Sequence, residues 1–243
     1  MTIRLAIAAL VVAAQSTVAF AAQPPPAARG RAKAPGVAQL PNLRLDLKNK
    51  TIEFDGTLCH GDYPFELLVC QGDLRDYESM VSSPTKPSIL HTALLALGLK
   101  PRIRDKKEPG KVLREGDPID ILLRFERDGK TVTMEPRELI VDLETKKHVK
   151  ATPWIFYGSF FFPSPEDKKK LIYYGDSEQW LIGVLGDTAS VIDLAPEATG
   201  KYGSLAIDLK KAPKKGTKVT LIIRPAANRK PTAPAKPQPA KAK

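Results

Sequence analysis

The chain has 243 residues, a formal net charge of +11 and two cysteines. Arg4 carries one of those charges, Arg29, Arg31 and Lys33 carry three, and Arg224, Arg229, Lys230, Lys236, Lys241 and Lys243 carry six, which leaves only +1 for residues 42–223. A basic nucleic-acid-binding face on a folded domain is therefore not expected, and two cysteines are too few for a conventional iron–sulfur cluster.

At the N-terminus, Arg4 precedes an apolar run over residues 5–14, and Ala19, Phe20 and Ala21 form a small-x-small triplet. This pattern predicts a cleaved secretory signal over residues 1–21, with cleavage near Ala21 and the mature chain in the periplasm or secreted. Gln15, Ser16 and Thr17 end the run short of the ~20 residues a membrane-spanning helix needs, so an uncleaved anchor is the weaker alternative. No cysteine follows the run, which argues against a lipid-anchored N-terminus. Residues 22–41 are rich in Pro and Ala and poor in branched or aromatic side chains, the composition of a disordered linker.

Residues 42–223 predict one β-rich domain. The stretches from Leu43 and from Thr51 alternate apolar and polar around Asn49 and Lys50, as a hairpin requires. "TLCHGDYPFELLVC" reads as a strand to Cys59, a turn on Gly61 and Asp62, and a returning strand from Phe65 to Cys70. Pro87 suits a first helical turn, and Gly98 followed by Pro101 supplies a stop, so a helix is predicted over about 87–98. Its apolar stripe is Ile89, Leu90, Ala93, Leu94 and Leu97. His91 falls off that stripe, toward solvent or toward whatever covers the second face. Residues 100–118 are charged and unpatterned, the mark of a surface excursion.

A run of short strands follows: "IDILLRFERDGKTVTMEP" with a tight turn at Asp128 and Gly129, "ELIVDLE", "WIFYGSFFF", "LIYYGD", "WLIGVLGD", "SVIDLA", "GSLAIDLK" and "TKVTLIIRP". The predicted class is α+β, mainly β, an antiparallel sandwich or curved sheets with one packed α-helix. Residues 224–243 are basic and rich in Pro, Ala and Lys, a disordered tail able to hold anionic cell-envelope polymer or lipid weakly.

No chemical motif is well formed. If the turn centres on Gly61 and Asp62, Cys59 faces Pro64 and Cys70 faces Glu53, a displacement of several residues at ~3.3 Å each, which is beyond disulfide reach. Composition permits a Cys59–Cys70 disulfide, but only through a longer, non-hairpin connection. His60, His91 and His148 are single and scattered, without metal-ligand spacing. A metal site could be assembled only in space, from Cys70, His91 and Glu78. Ser79 lacks a hydrolase elbow, Ser159 sits in a strand, and no phosphate-binding glycine loop is present, so no cofactor is expected.

"FELLVC", "DLRDYESMV", "KPSILHTALLALGLKP", "WIFYGSFF" and "YYGDSEQWLIGVLGDTASVIDL" together resemble the YdjY domain family of exported bacterial proteins. Glu66 and Cys70 match its first element, Glu78 and Ser79 its second, Pro87, His91, Leu94, Leu95 and Gly98 its helix, and Gly158 and Ser159 its fourth. Arg75 and Tyr77 stand where the family has Lys and His, and Glu178, Gln179 and Trp180 replace a glycine-led turn. The resemblance implies a domain of unknown function over residues 42–223. The electron-transfer motifs of one member are missing, so that role does not carry over. The leading expectation is an exported, non-enzymatic binding or assembly module. The competing one is an enzyme or redox-linked metal protein using Cys70, Glu78, Ser79 and His91, which then have to converge. A third is a purely structural envelope protein whose tail makes the contacts.

Overall fold

The computed structural model describes residues 36–59, 63–101, 115–196 and 198–227. The expected signal over 1–21, most of the linker, the turn residues 60–62, most of the charged loop and the tail beyond 227 lie outside the described residues.

Fifteen strands and two α-helices follow in order. They are β1 (Val37–Leu40), β2 (Leu43–Asp46), β3 (Thr51–Leu58), β4 (Leu67–Gln71), β5 (Ser79–Ser83), α1 (Pro87–Ala96), β6 (Asp117–Arg127), β7 (Lys130–Met134), β8 (Ile140–Asp142), β9 (Trp154–Phe156), β10 (Phe161–Pro163), β11 (Leu171–Tyr173), α2 (Tyr174–Glu178), β12 (Trp180–Gly183), β13 (Ile192–Leu194), β14 (Leu205–Ile207) and β15 (Lys218–Pro225). Among the described residues, no helix is long and apolar enough to cross a membrane.

Mainly β is right, but the sandwich or open curved sheet is not what forms. Eight strands close on themselves in the order β3–β15–β6–β9–β13–β12–β4–β5 and back to β3. The fold is a closed barrel, with β1 and β2 extending it at β3 and β7 pairing β6. Closure happens on one strand that changes partner along its length. The start of β3 pairs β2 (Arg44↔Glu53) and its end pairs β5 (Thr57↔Ser82, Leu58↔Val81). Gly56 lies at this seam, where a Cβ would stand 2.5 Å from Val81 Cγ1 and 2.9 Å from the Ser82 carbonyl. Only a residue without a side chain lets the two strands approach so closely.

Alternation along the strands fills the barrel. Ile52, Phe54 and Leu58 of β3, Ile119, Ile121, Leu123 and Phe125 of β6, and Val219, Leu221 and Ile223 of β15 are all buried. The intervening Glu53 faces out, where it pairs with Arg44 at 3.5 Å and Arg124 at 3.6 Å. The hairpins predicted from local turn chemistry form as β2–β3 and β6–β7.

The hairpin expected between Cys59 and Phe65 does not form. β4 pairs β12 on one side and β5 on the other, and its pairing with β5 is parallel, as is that of β12 with β13. Two crossovers, residues 72–78 and 184–191, carry the chain back along these parallel pairs. The predicted displacement of Cys59 from Cys70 rested on that hairpin and falls with it.

α1 buries Leu90, Ala93 and Leu94, with Ile89 and Leu97 half-buried, as the stripe predicted. Gly98, at φ +85°, ends it. The start is capped from a distance, because Asp176 of α2 accepts the Ser88 N–H at 2.8 Å and its hydroxyl at 2.6 Å. Structure also enters both flanks. β1 lies within residues 22–41, and β15 runs through Arg224 and Pro225, where Arg224 pairs with Asp120 at 3.7 Å. Composition registers low core-forming capacity, whereas these residues are ordered by a neighbouring strand edge.

Candidate functional site

The crossover from β4 to β5 carries Arg75, Glu78 and, at the start of β5, Ser79. A single 3-10 turn over Asp76–Glu78 tightens it. Arg75 reaches Glu78 at 3.1 Å and Glu178 of α2 at 3.3 Å, and its guanidinium lies 6.0 Å from the centre of the Trp180 ring. Its Nη1 also donates to the Tyr77 hydroxyl at 3.4 Å. Burial, then Glu78 and Asp187, push the Glu66 carboxyl up, and Arg75 offsets this only in part. Burial, then Glu178 and Asp187, push the Tyr174 hydroxyl up as well. One guanidinium therefore serves Glu66, Glu78 and Glu178, beside Trp180, Tyr77 and Tyr174.

Ser79 is fully buried, and its hydroxyl donates to the Arg75 carbonyl at 2.6 Å. It braces the crossover and has no proton left to give a base. Beneath it, Cys59 and Cys70 are free, buried thiols. Cys59 Sγ lies 3.3 Å from the Ser79 carbonyl, and Cys70 Sγ lies 3.8 Å from that of Val81 and 3.6 Å from that of Gly72. The two thiols interact with each other, and that hydrogen bond together with burial pushes Cys59 far above the ordinary thiol range. Cys59 so held is not a nucleophile, whereas the same hydrogen bond pushes the buried Cys70 thiol down from its ordinary value.

His91 turns inward, onto aromatic rings. Its Nδ1 lies 2.6 Å from the Tyr173 hydroxyl, and its edge meets Phe156 at 5.1 Å and Tyr173 at 5.5 Å. Tyr173 also accepts the Ser159 N–H at 3.1 Å. Burial lowers the His91 pKa and keeps the ring neutral. Gly158, at φ +65°, makes room for it, since a Cβ there would stand 2.9 Å from His91 Cε1 and 3.0 Å from Pro101 Cβ.

The sequence-predicted residues thus fall into three settings. Glu78 joins an ion network, Ser79 and Cys70 are buried on the paired strands β5 and β4, and His91 is locked to Tyr173. Among the described residues, no hydrogen bond or ion pair joins His91 to Glu78, Ser79 or Cys70. No group of three or more metal-ligating side chains gathers among them either. His148 stands apart, 3.2 Å from Asp208, and His60 lies outside the described residues.

Tyr173, Asp176, Glu178, Trp180 and Asp187 were missed as site residues. Each lies far along the chain from its partner, and the one local signal was the departure from a glycine-led turn at Glu178 to Trp180.

The Gly158–Ser159 step is fitted against the helix histidine. Residues 43–224 match the YdjY domain. The chain belongs to the YdjY domain family. No curated protein and no solved structure matches it. Within this YdjY domain, Glu78 and Ser79 each bond Arg75 of the first crossover, and His91 and Ser159 meet at the Tyr173 hydroxyl.

Proposed function

We propose that this chain is an exported, non-enzymatic binding or assembly module of the periplasm or cell envelope. One observation carries the reading: Ser79, His91 and Cys59, which a reaction could use, are already committed to partners inside the fold. The Ser79 proton goes to the Arg75 carbonyl, His91 is neutral and bonded to Tyr173, and the thiols are buried against each other. Catalytic acids and nucleophiles need reach to a substrate as well as a suitable pKa. The face that remains available is the rim of the two crossovers and α2, where Arg75, Glu66, Glu178, Tyr77 and Trp180 are held in fixed relation. The signal-like N-terminus supports export, and the five cations of residues 229–243 support a weak hold on anionic envelope polymer or lipid.

The test is thermal-shift screening of the purified mature chain against envelope polymer fragments, peptides and small metabolites, with each hit followed for turnover. A saturable rise in Tm with the ligand recovered intact is the expected result. Consumption of a ligand, lost in E78Q or H91Q, would overturn the reading in favour of an enzyme. For the tail, retention on isolated envelopes is expected to fall when Arg229, Lys230, Lys236, Lys241 and Lys243 are replaced by Gln, and to fall with added salt.

A further inference from the structure

β10 and β11 form a two-stranded sheet of their own, outside the eleven-stranded sheet. The register pairs Phe161 with Tyr173, Phe162 with Ile172 and Pro163 with Leu171. On the face shared by Phe161, Pro163, Leu171 and Tyr173, only Tyr173 is turned into the protein. Phe161 is 59% exposed and Leu171 60% exposed, and the adjoining Phe160 is 39% exposed. A solvent-facing hairpin in a soluble protein carries polar residues on its open face; this one carries Phe, Pro and Leu.

The hairpin is held firmly at its base. Tyr173 is bonded to His91, the Tyr174 N–H donates to the Phe160 carbonyl at 2.8 Å, and the Phe160 and Tyr174 rings lie 4.7 Å apart. Its far turn is ordered by its own hydrogen bonds, with the Ser164 N–H on the Lys170 carbonyl at 2.8 Å and the Lys169 N–H on Asp167 Oδ1 at 3.0 Å. That turn presents Lys168, Lys169 and Lys170, all exposed and, among the described residues, none in an ion pair. Glu166 and Asp167 share the turn, so its net charge is only +1 and apolar insertion has to carry most of any affinity.

We propose that this hairpin is a docking blade for an anionic phospholipid membrane. Phe161 and Leu171, with Phe160, enter the boundary between headgroups and acyl chains. Lys168, Lys169 and Lys170 extend along the headgroups to the phosphates, their stems lying on the apolar blade. A groove on a partner protein would fit the apolar residues alone; unpaired lysines grouped beside them match a charged lipid surface. This surface does not depend on the ligand-binding rim, so either can fail without the other.

The test is co-sedimentation of the full mature chain with phosphatidylglycerol-containing vesicles and with phosphatidylcholine vesicles. Binding to the anionic vesicles is expected, weakened at least about tenfold in F161S/L171S. In K168Q/K169Q/K170Q the preference for anionic lipid is expected to disappear. F161W should show a blue-shifted emission on anionic vesicles, a direct reading of insertion. Unchanged Tm in all three variants establishes that the fold is intact, since the altered side chains are exposed. Three results would overturn the proposal: no vesicle binding by the wild-type chain; binding that ignores the hairpin variants and is lost only when the tail cations become Gln; or lipid-independent self-association abolished by F161S/L171S.

Discussion

His91 shows how little a residue's chemistry is set by its type. An imidazole able to titrate at its ordinary value of 6.5 is instead buried against Phe156 and Tyr173, which lowers its pKa. Between that lowered value and 6.5 the unfolded chain binds the proton more readily, so the contribution of His91 is complete above about pH 6.5 and is lost as pH falls through the folded-state value. Urea midpoints of the wild-type chain are expected to drop over this window, and H91Q is expected to flatten the drop. Tyr173→Phe should cost about 1 kcal/mol at neutral pH, the usual net worth of a buried hydrogen bond. Glu66 has the opposite sign. Its carboxyl is pushed above the ordinary 4.5 by burial, Glu78 and Asp187, so the fold loses stability as pH rises through the shifted value. Glu66→Gln is expected to raise the urea midpoint at pH 7, with the gain vanishing below about pH 4.5.

Helix α1 is the element whose core-facing residues follow most directly from the sequence. Pro87 opens it, Gly98 closes it, and Leu90, Ala93 and Leu94 face the core because the apolar spacing demands it. Its cap could not be read in the same way. Lys86 makes no side-chain cap, and the Ser88 N–H is met by Asp176, 88 residues further on. Asp176→Ala should therefore cost about 1 kcal/mol in chemical denaturation, the worth of an N-cap side chain, and D176N should recover much of it. A smaller loss than a few tenths would show that α1 is held by packing alone. The strand pairs divide along the same line. β2–β3 and β6–β7 are joined by turns whose residues announce them, whereas β4–β5 and β12–β13 are parallel and joined by crossovers with no turn signature.

At the scale of the whole molecule, closure is decided at one seam. Alternating strands are equally compatible with a sandwich and with a barrel, since both bury one face of each strand. Here β3 leaves β2 and meets β5, and Gly56 admits the approach. Gly56→Ala is expected to destabilise by roughly 1–3 kcal/mol, because the new methyl meets Val81 and the Ser82 backbone and the seam has to open to accept it. Equilibrium urea unfolding measures the effect, and an unchanged midpoint would mean that closure does not depend on this contact. The same seam brings Cys59 and Cys70 to the two sides of β5, which no hairpin could do.

Sequence alone determined the elements that depend on neighbouring residues: the apolar stripe of α1, the period-two strands, the turns at residues 49–50 and 128–129, the concentration of charge at the two ends, and the family. Those signals are local, because side-chain spacing and turn chemistry act within a few bonds of where they are written. The tertiary structure decided the barrel, the two parallel pairs, the remote cap on α1 and the separation of His91 from Glu78. Each of these depends on which strand edges meet after long stretches of chain, and the partners of an edge are chosen by the fit of the closed core rather than by any residue beside it.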